Sequence, residues 1–249
     1  MKIRIIPTIL TDGVTVVKGS NFDNWRTVGN AQATARLFGA RDVDELMFLD
    51  VNARKKNSCI SLDLISYFSE VLSIPFSVGG GISTIGEARD CMRRGAEKVV
   101  LGTSAYDNLE LIRQIAHEFG SQAVTVAIDI ADEVSLSIRT HSGTKDVSMN
   151  AGDFAELAVE NGAGELLVQS ISREGTLNGF SPIGVSTISK LVNVPIVASG
   201  GIKSAYDAQF ALESGANAIA IGALFQFTQN TPASLANELS RLGIPVRSK

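Results

Sequence analysis

Along the chain, short unbroken apolar runs alternate with longer stretches whose apolar residues recur at intervals of three and four. The runs are IRIIPTIL from Ile3, ELMFLDV from Glu45, PFSVG from Pro75, KVVLG from Lys98, AVTVAIDI from Ala123, ELLVQS from Glu165, PIVASG from Pro195 and NAIAIG from Asn217. Between them lie amphipathic segments such as NLELIRQIAHEFG and SAYDAQFALESG. Strands alternating with helices pair in parallel, because each helix must carry the chain back across the sheet. Eight such units predict an α/β protein with a closed (β/α)8 TIM barrel, one domain over residues 1–249. A doubly wound open sheet is the alternative. The first run leads into a predicted turn at Thr11-Asp12-Gly13.

The chain also repeats itself. IPFSVGGGISTIGEARDCMRRGAEKVVLGTSA from Ile74 aligns with VPIVASGGIKSAYDAQFALESGANAIAIGALF from Val194 at a constant offset of 120. Shared positions include Pro75/Pro195, Gly80/Gly200, Gly81/Gly201, Ile82/Ile202, Gly95/Gly215 and Gly102/Gly222, and Glu45/Glu165 keep the same offset. Two half-barrels, about 1–120 and 121–249, account for this pattern.

The repeated glycines carry the first chemical signal. Gly79-Gly80-Gly81 follows the third strand and Gly200-Gly201 the seventh, each partnered by a glycine after the next strand, Gly102 or Gly222. In a barrel these loops share the C-terminal face, where active sites form. Glycine lets backbone N–H groups approach an oxyanion closely. Two such pairs predict two phosphate cradles and an elongated, phosphorylated small molecule. The plainer alternative is that the glycines only permit tight turns.

Bulk properties narrow the partners. A formal net charge of −4 disfavours nonspecific nucleic-acid binding. No run is long and apolar enough to span a bilayer, and MKIRIIPT lacks the form of a signal peptide, so a cytoplasmic protein is expected. Cys59 and Cys91 form neither a disulfide framework nor a ligand pattern, and no metal or cofactor is expected. His117 reads as a surface residue of its helix, and His141 as part of a hairpin insertion, SLSIRTHSGTKDVSM. Trp25 reads as a lid or an interface residue.

The stretches VVKGSNFDNWR, DELMFLD, PFSVGGGI, GSQAVTVAID, GAGELLVQSISREGTLNGF and PIVASGGI together resemble HisF, the cyclase subunit of imidazole glycerol phosphate synthase. The sister isomerase HisA shares the repeat and the phosphate sites, but the VKG-x-NF and R-x-G-T-x-x-G stretches are more similar to HisF. The resemblance implies a (β/α)8 barrel. It also implies a HisH-type glutaminase docked on the N-terminal face, whose ammonia crosses the barrel to a bisphosphorylated substrate. It places phosphate ligands at Gly81, Gly102 and Thr103 on one side, and at Glu174, Gly175, Gly201, Gly222 and Ala223 on the other. Lys18 would sit over the substrate, Glu97 would face the glutaminase, and Ser142 resembles a substrate-side position.

Catalysis in the family resembles acid–base work by two aspartates, ending the first and fifth strands. Asp129 is one of them, but Leu10 stands where the other belongs, with Asp12 two residues on as a possible substitute. Leucine cannot move a proton. By the same resemblance the ammonia entrance maps onto Arg4, Glu45, Lys98 and Glu165, all present, with four ordinary strand-start charges as the bland alternative. An entrance kept and an acid lost resembles the HisF-like proteins of surface-polysaccharide pathways, which supply ammonia to a sugar amidotransferase. Arg54, Lys55 and Lys56, in the loop after the second strand, would suit an anionic sugar nucleotide or a partner. Three readings result: ammonia delivery for sugar amidation, a working cyclase using Asp129 with Asp12, and a noncatalytic phosphate-binding scaffold.

Overall fold

All eight apolar runs form strands in the computed structural model, which describes residues 2–41 and 43–247. In chain order the elements are β1 (Arg4–Asp12), β2 (Thr15–Ser20), β3 (Asp23–Asn30), α1 (Ala31–Gly39), β4 (Leu46–Asp50), α2 (Leu62–Val71), β5 (Phe76–Gly79), α3 (Ile85–Arg93) and β6 (Lys98–Leu101). They continue with α4 (Thr103–Asp107), α5 (Leu109–Phe119), β7 (Val124–Asp132), β8 (Ser137–Thr140), β9 (Lys145–Asn150), α6 (Ala151–Glu160) and β10 (Glu165–Ser170). The last are α7 (Ile183–Ile188), β11 (Ile196–Ser199), α8 (Ala205–Glu213), β12 (Ala218–Ile221), α9 (Ala223–Phe227) and α10 (Pro232–Arg241).

Helix starts reflect the local chemistry. Asn30, Ser61, Asn150 and Ser204 each accept a hydrogen bond from the backbone N–H groups opening the next helix. At α3, Thr84 and Glu87 cap one another reciprocally.

Eight strands close the barrel in the order β1-β4-β5-β6-β7-β10-β11-β12, every pairing parallel, and β12 returns to β1 through Arg4↔Ala218 to Pro7↔Ile221. The open doubly wound sheet is thereby excluded. Two cores result, as strand alternation requires. Ile5, Ile9, Val126, Ile128, Leu166 and Val168 face outward and pack under the helices. Ile6, Met47, Val100, Ala127, Leu167, Val197, Ala218 and Ala220 fill the barrel's middle. Each large aliphatic side chain so buried contributes roughly 1.5–3 kcal/mol.

One local expectation changes. The turn predicted at Thr11-Asp12-Gly13 lies later, because Thr11 and Asp12 continue β1 and pair with Val16 and Thr15. The chain beyond them forms an antiparallel hairpin, β2–β3, rather than a loop. Burying Val16 and Val17 favours this extension. The insertion after the fifth barrel strand forms the expected hairpin, β8–β9.

Candidate active site

Along β1, outward Ile5 and Ile9 alternate with inward Arg4, Ile6, Thr8 and Leu10. The same alternation turns Thr125, Ala127 and Asp129 of β7 inward, and Glu165, Leu167 and Gln169 of β10. Each strand therefore presents a charged or polar foot, an apolar waist and a head at the mouth.

The feet meet in one ring. Arg4 donates to Glu45 at 2.8 Å and to Glu165, and Lys98 lies 3.1 Å from an oxygen of each acid. Thr125 Oγ1 adds a bond of 3.1 Å to Glu165. Both acids thus bridge both bases, and all four side chains are largely buried. Burial works against the charge of Glu165, but Lys98 and Arg4 outweigh it and hold its pKa below the usual carboxylate value. Glu97, next to Lys98, is exposed.

The heads line a cleft of about 890 Å³, open to solvent, bounded by Leu10, Phe22, Trp25, Leu49, Val51, Ile82, Val100, Ala127 and Leu167 among apolar residues. Asp129, Gln169, Asp50, Arg54, Thr103, Ser104 and Ser142 supply its polar groups. Leu10 sits beside Leu49 across the β1–β4 ladder, and Asp129 beside Gln169 across β7–β10. Burial, and secondarily the charge of Glu174, push the Asp129 carboxyl up to about 7. Near neutrality it therefore exists in both protonation states, as a general acid or base requires. Tyr106, stacked on Phe154 at 3.7 Å, has its phenol raised by burial and by Asp129.

Asp12 is placed differently. Its carboxylate is held at the outer rim by Lys56 and by Asn52 at 3.1 Å, and it is not among the residues lining the cleft. The hydrogen bond from Lys56 keeps its pKa below the ordinary value. Of the three basic residues after β4, Lys56 is thus engaged, Arg54 pairs with Asp107 at 2.9 Å, and Lys55 is exposed.

The two glycine turns keep their symmetry. Gly81 has φ +70° and Gly201 φ +79°, and a Cβ would lie 1.8 Å from Ser58 O at the first and 2.3 Å from Gly179 O at the second. Their occupants differ. Beside the first turn, Gly102 faces open space. Beside the second, a Cβ on Gly222 would meet Lys18 Nζ at 2.3 Å. Lys18 is 1% exposed, and its ammonium donates to Glu174 at 3.0 Å. Glu174, Gly175, Gly200, Gly201, Gly222 and Ala223 line a hollow there, and Gly175 also borders a second space with Gly19, Arg26 and Phe227. The β2–β3 hairpin is tied there as well, with Asn21 N donating to Glu174 O at 2.9 Å. At its tip Phe22 packs near Gly143 of the second hairpin, so the two hairpins meet over the mouth.

The second hairpin is anchored to the mouth by His141 N donating to Thr103 Oγ1 at 2.9 Å and Ser142 Oγ to Val51 O at 2.8 Å. His117 lies exposed on α5. Sequence reasoning missed Leu49 and Asp50, although strand alternation places Leu49 level with Leu10. Asp50 accepts from the N–H groups of Gly13, Asn52 and Ala53, and so shapes the loop that carries Arg54. Nothing in the sequence marks Tyr106, whose hydroxyl donates from α4 to Ala127 O at 3.4 Å, two residues before Asp129. Among the described residues no cluster of three or more His, Cys, Asp or Glu side chains could hold a metal ion, and no helix is long and apolar enough to cross a membrane.

Comparison with known proteins agrees with this architecture. A family described as "Histidine biosynthesis protein" matches residues 4–231. The imidazole glycerol phosphate synthase subunit HisF of Thermobifida fusca is 37% identical over 254 residues, covering 99% of both chains. That of Exiguobacterium sibiricum is 38% identical over 245 residues, covering 98% of both. The subunit from Thermococcus gammatolerans is 36% identical over 245 residues, covering 98% of this chain and 97% of its own. With likeness over essentially its whole length, the chain belongs to the HisF family of histidine-biosynthesis proteins.

Proposed function

We propose that this chain is the barrel subunit of a glutamine-dependent complex. It receives ammonia at its N-terminal face from a HisH-type glutaminase and passes it to the cleft at the other end. The observation carrying this reading is the contrast along β1: Arg4 sits in a complete ion-paired ring, while Leu10 replaces an acid at the mouth. A ring of two acids and two bases is neutral overall, so it neither repels nor traps a small neutral base. The apolar waist beyond it suits ammonia and disfavours ammonium, whose charge is costly to desolvate.

Of the two carboxyls lining the cleft, Asp50 is occupied by backbone N–H groups and Asp129 is the one raised toward neutrality, with the first glycine turn, Gly102 and Thr103 as a phosphate cradle and the second turn, with Glu174 to Ala223, as its counterpart. Ring closure needs an acid and a base in opposed positions, and Leu10 removes one. The reading supported best is ammonia supply for a separate amidation, such as that of a surface-polysaccharide sugar by a partner amidotransferase. Full-length similarity to HisF subunits favours a second reading, an intact cyclase.

Complementation separates the two. In a histidine auxotroph lacking the cyclase, supplied with a matching glutaminase, the wild-type chain is expected not to support growth, and the Leu10→Asp variant to restore it. Growth on the wild-type chain would overturn the amidation reading. Glutaminase turnover measured with and without the barrel tests the shared premise, which fails if the barrel gives no stimulation.

A further inference from the structure

The β2–β3 hairpin has two faces, and only one looks into the cleft. Trp25 and Arg26 are neighbours on β3 and point to opposite sides of it, Trp25 lining the cleft and Arg26 a separate hollow. Asn24 joins that hollow from the hairpin, Leu177 from the loop after β10, and Phe227 from the end of α9. The Arg26 guanidinium lies over the Phe227 ring, 5.1 Å from its centroid. A guanidinium placed so keeps its edge N–H donors for another partner, and among the described residues none of them meets an acceptor. The ring itself is 41% exposed. Two residues of the wall are also strained: Asn24 has φ +56° and Leu177 φ +53°, a left-handed conformation that a leucine seldom adopts. Strain of this kind gathers where a ligand makes use of it.

We propose that this hollow is a binding site for a small monocarboxylate with an aromatic or alkyl body, separate from the cleft. Arg26 is the one charged side chain on its wall, so a single negative charge is balanced there and a dianion is not. The planar fork of the guanidinium matches the two oxygens of a carboxylate, and Phe227 and Leu177 cover the hydrocarbon. Such a ligand bridges the hairpin to α9 and to the loop after β10. It therefore steadies the hairpin that carries Phe22 and Trp25 over the mouth, without entering the cleft.

Nitrogen-edited NMR titration of the full chain with phenylacetate, acetate and phenethyl alcohol tests this. Phenylacetate is expected to saturate one site, shifting the Arg26 Nε–H and the amides of Gly19 and Leu177. It should bind at least about tenfold tighter than acetate, which lacks the ring, or phenethyl alcohol, which lacks the charge. Arg26→Met should weaken it by at least about tenfold at an unchanged melting temperature, and Arg26→Lys, which keeps the charge but not the fork, should weaken it as well. Amide hydrogen exchange across β3 should slow when phenylacetate is bound. No saturable binding, shifts centred on Gly102, Thr103 and Asp129, equal affinity for phenylacetate and phenethyl alcohol, or affinity unchanged in Arg26→Met would each overturn the site. Unaltered exchange in β3 at saturation would overturn the steadying of the hairpin.

Discussion

The two ends of the barrel solve the same problem in opposite ways. At the foot, Arg4, Glu45, Lys98 and Glu165 bury four charges, and each is paired twice. At the mouth, burial strips Asp129 of solvent, and the charge that shifts it further is another acid, Glu174. The foot holds Glu165 below the usual carboxylate range, while the mouth lifts Asp129 to about 7. Burial opposes charge in both places, and only compensation differs. A structural network and a reactive carboxyl are thus told apart by what surrounds them, not by residue type.

Breaking the foot should have the largest effect. Arg4→Met leaves two acids sharing Lys98, and urea denaturation is expected to show a loss of about 3–5 kcal/mol. The double variant Arg4→Met/Glu165→Leu leaves one balanced pair, Glu45 with Lys98, and should lose clearly less than the sum of the two single variants. Additive losses would mean that the four side chains act independently.

At the mouth the sign reverses. A carboxyl whose pKa is raised on folding costs stability once pH exceeds its unfolded value, and the cost is complete above its folded value. Asp129→Asn should therefore stabilise the chain at pH 8–9, by at most about 4 kcal/mol. The gain should shrink as pH falls through 7 and vanish below about 4. A gain independent of pH would assign the effect to packing. The same variant should abolish any proton-transfer activity of the cleft.

A smaller change is expected of Gly81→Ala. Its Cβ would collide with Ser58 O and its φ is positive, so a cost above about 1 kcal/mol is expected, together with loss of phosphate binding. Smallest of all is Lys56→Ala. It frees Asp12 at an exposed rim and should leave the melting temperature and the titration of Asp129 unchanged. A shift in the Asp129 titration would show that Asp12 communicates with the cleft.

The barrel itself was legible because its signal is local. Eight apolar runs and two sets of glycines survive in any reading of the sequence, and the charged feet stand at strand starts where alternation must turn them inward. The mouth was less legible because its contacts join distant residues. Lys18 is expected over the substrate, and only the fold shows that Glu174, 156 positions away, holds it. Thr11 and Asp12 look like turn residues because their partners, Val16 and Thr15, belong to a hairpin with weak apolar periodicity. Trp25 could not be assigned because β3 is mostly exposed, and only the hairpin's fold across the mouth brings it to the cleft. That Leu10 faces the cleft is evident from counting along β1, but the company of Leu49 and the rim position of Asp12 required the folded sheet.

Closure of the sheet has a consequence for biosynthesis. β1 is flanked by β4, made soon after it, and by β12, made almost last. One backbone edge of β1 consequently stays bare on the ribosome until Ala218–Ile221 has emerged, and bare strand edges are templates for pairing between chains. A chain cut short before Ala218 would not be a smaller barrel but an unsealed sheet, prone to stick to its neighbours.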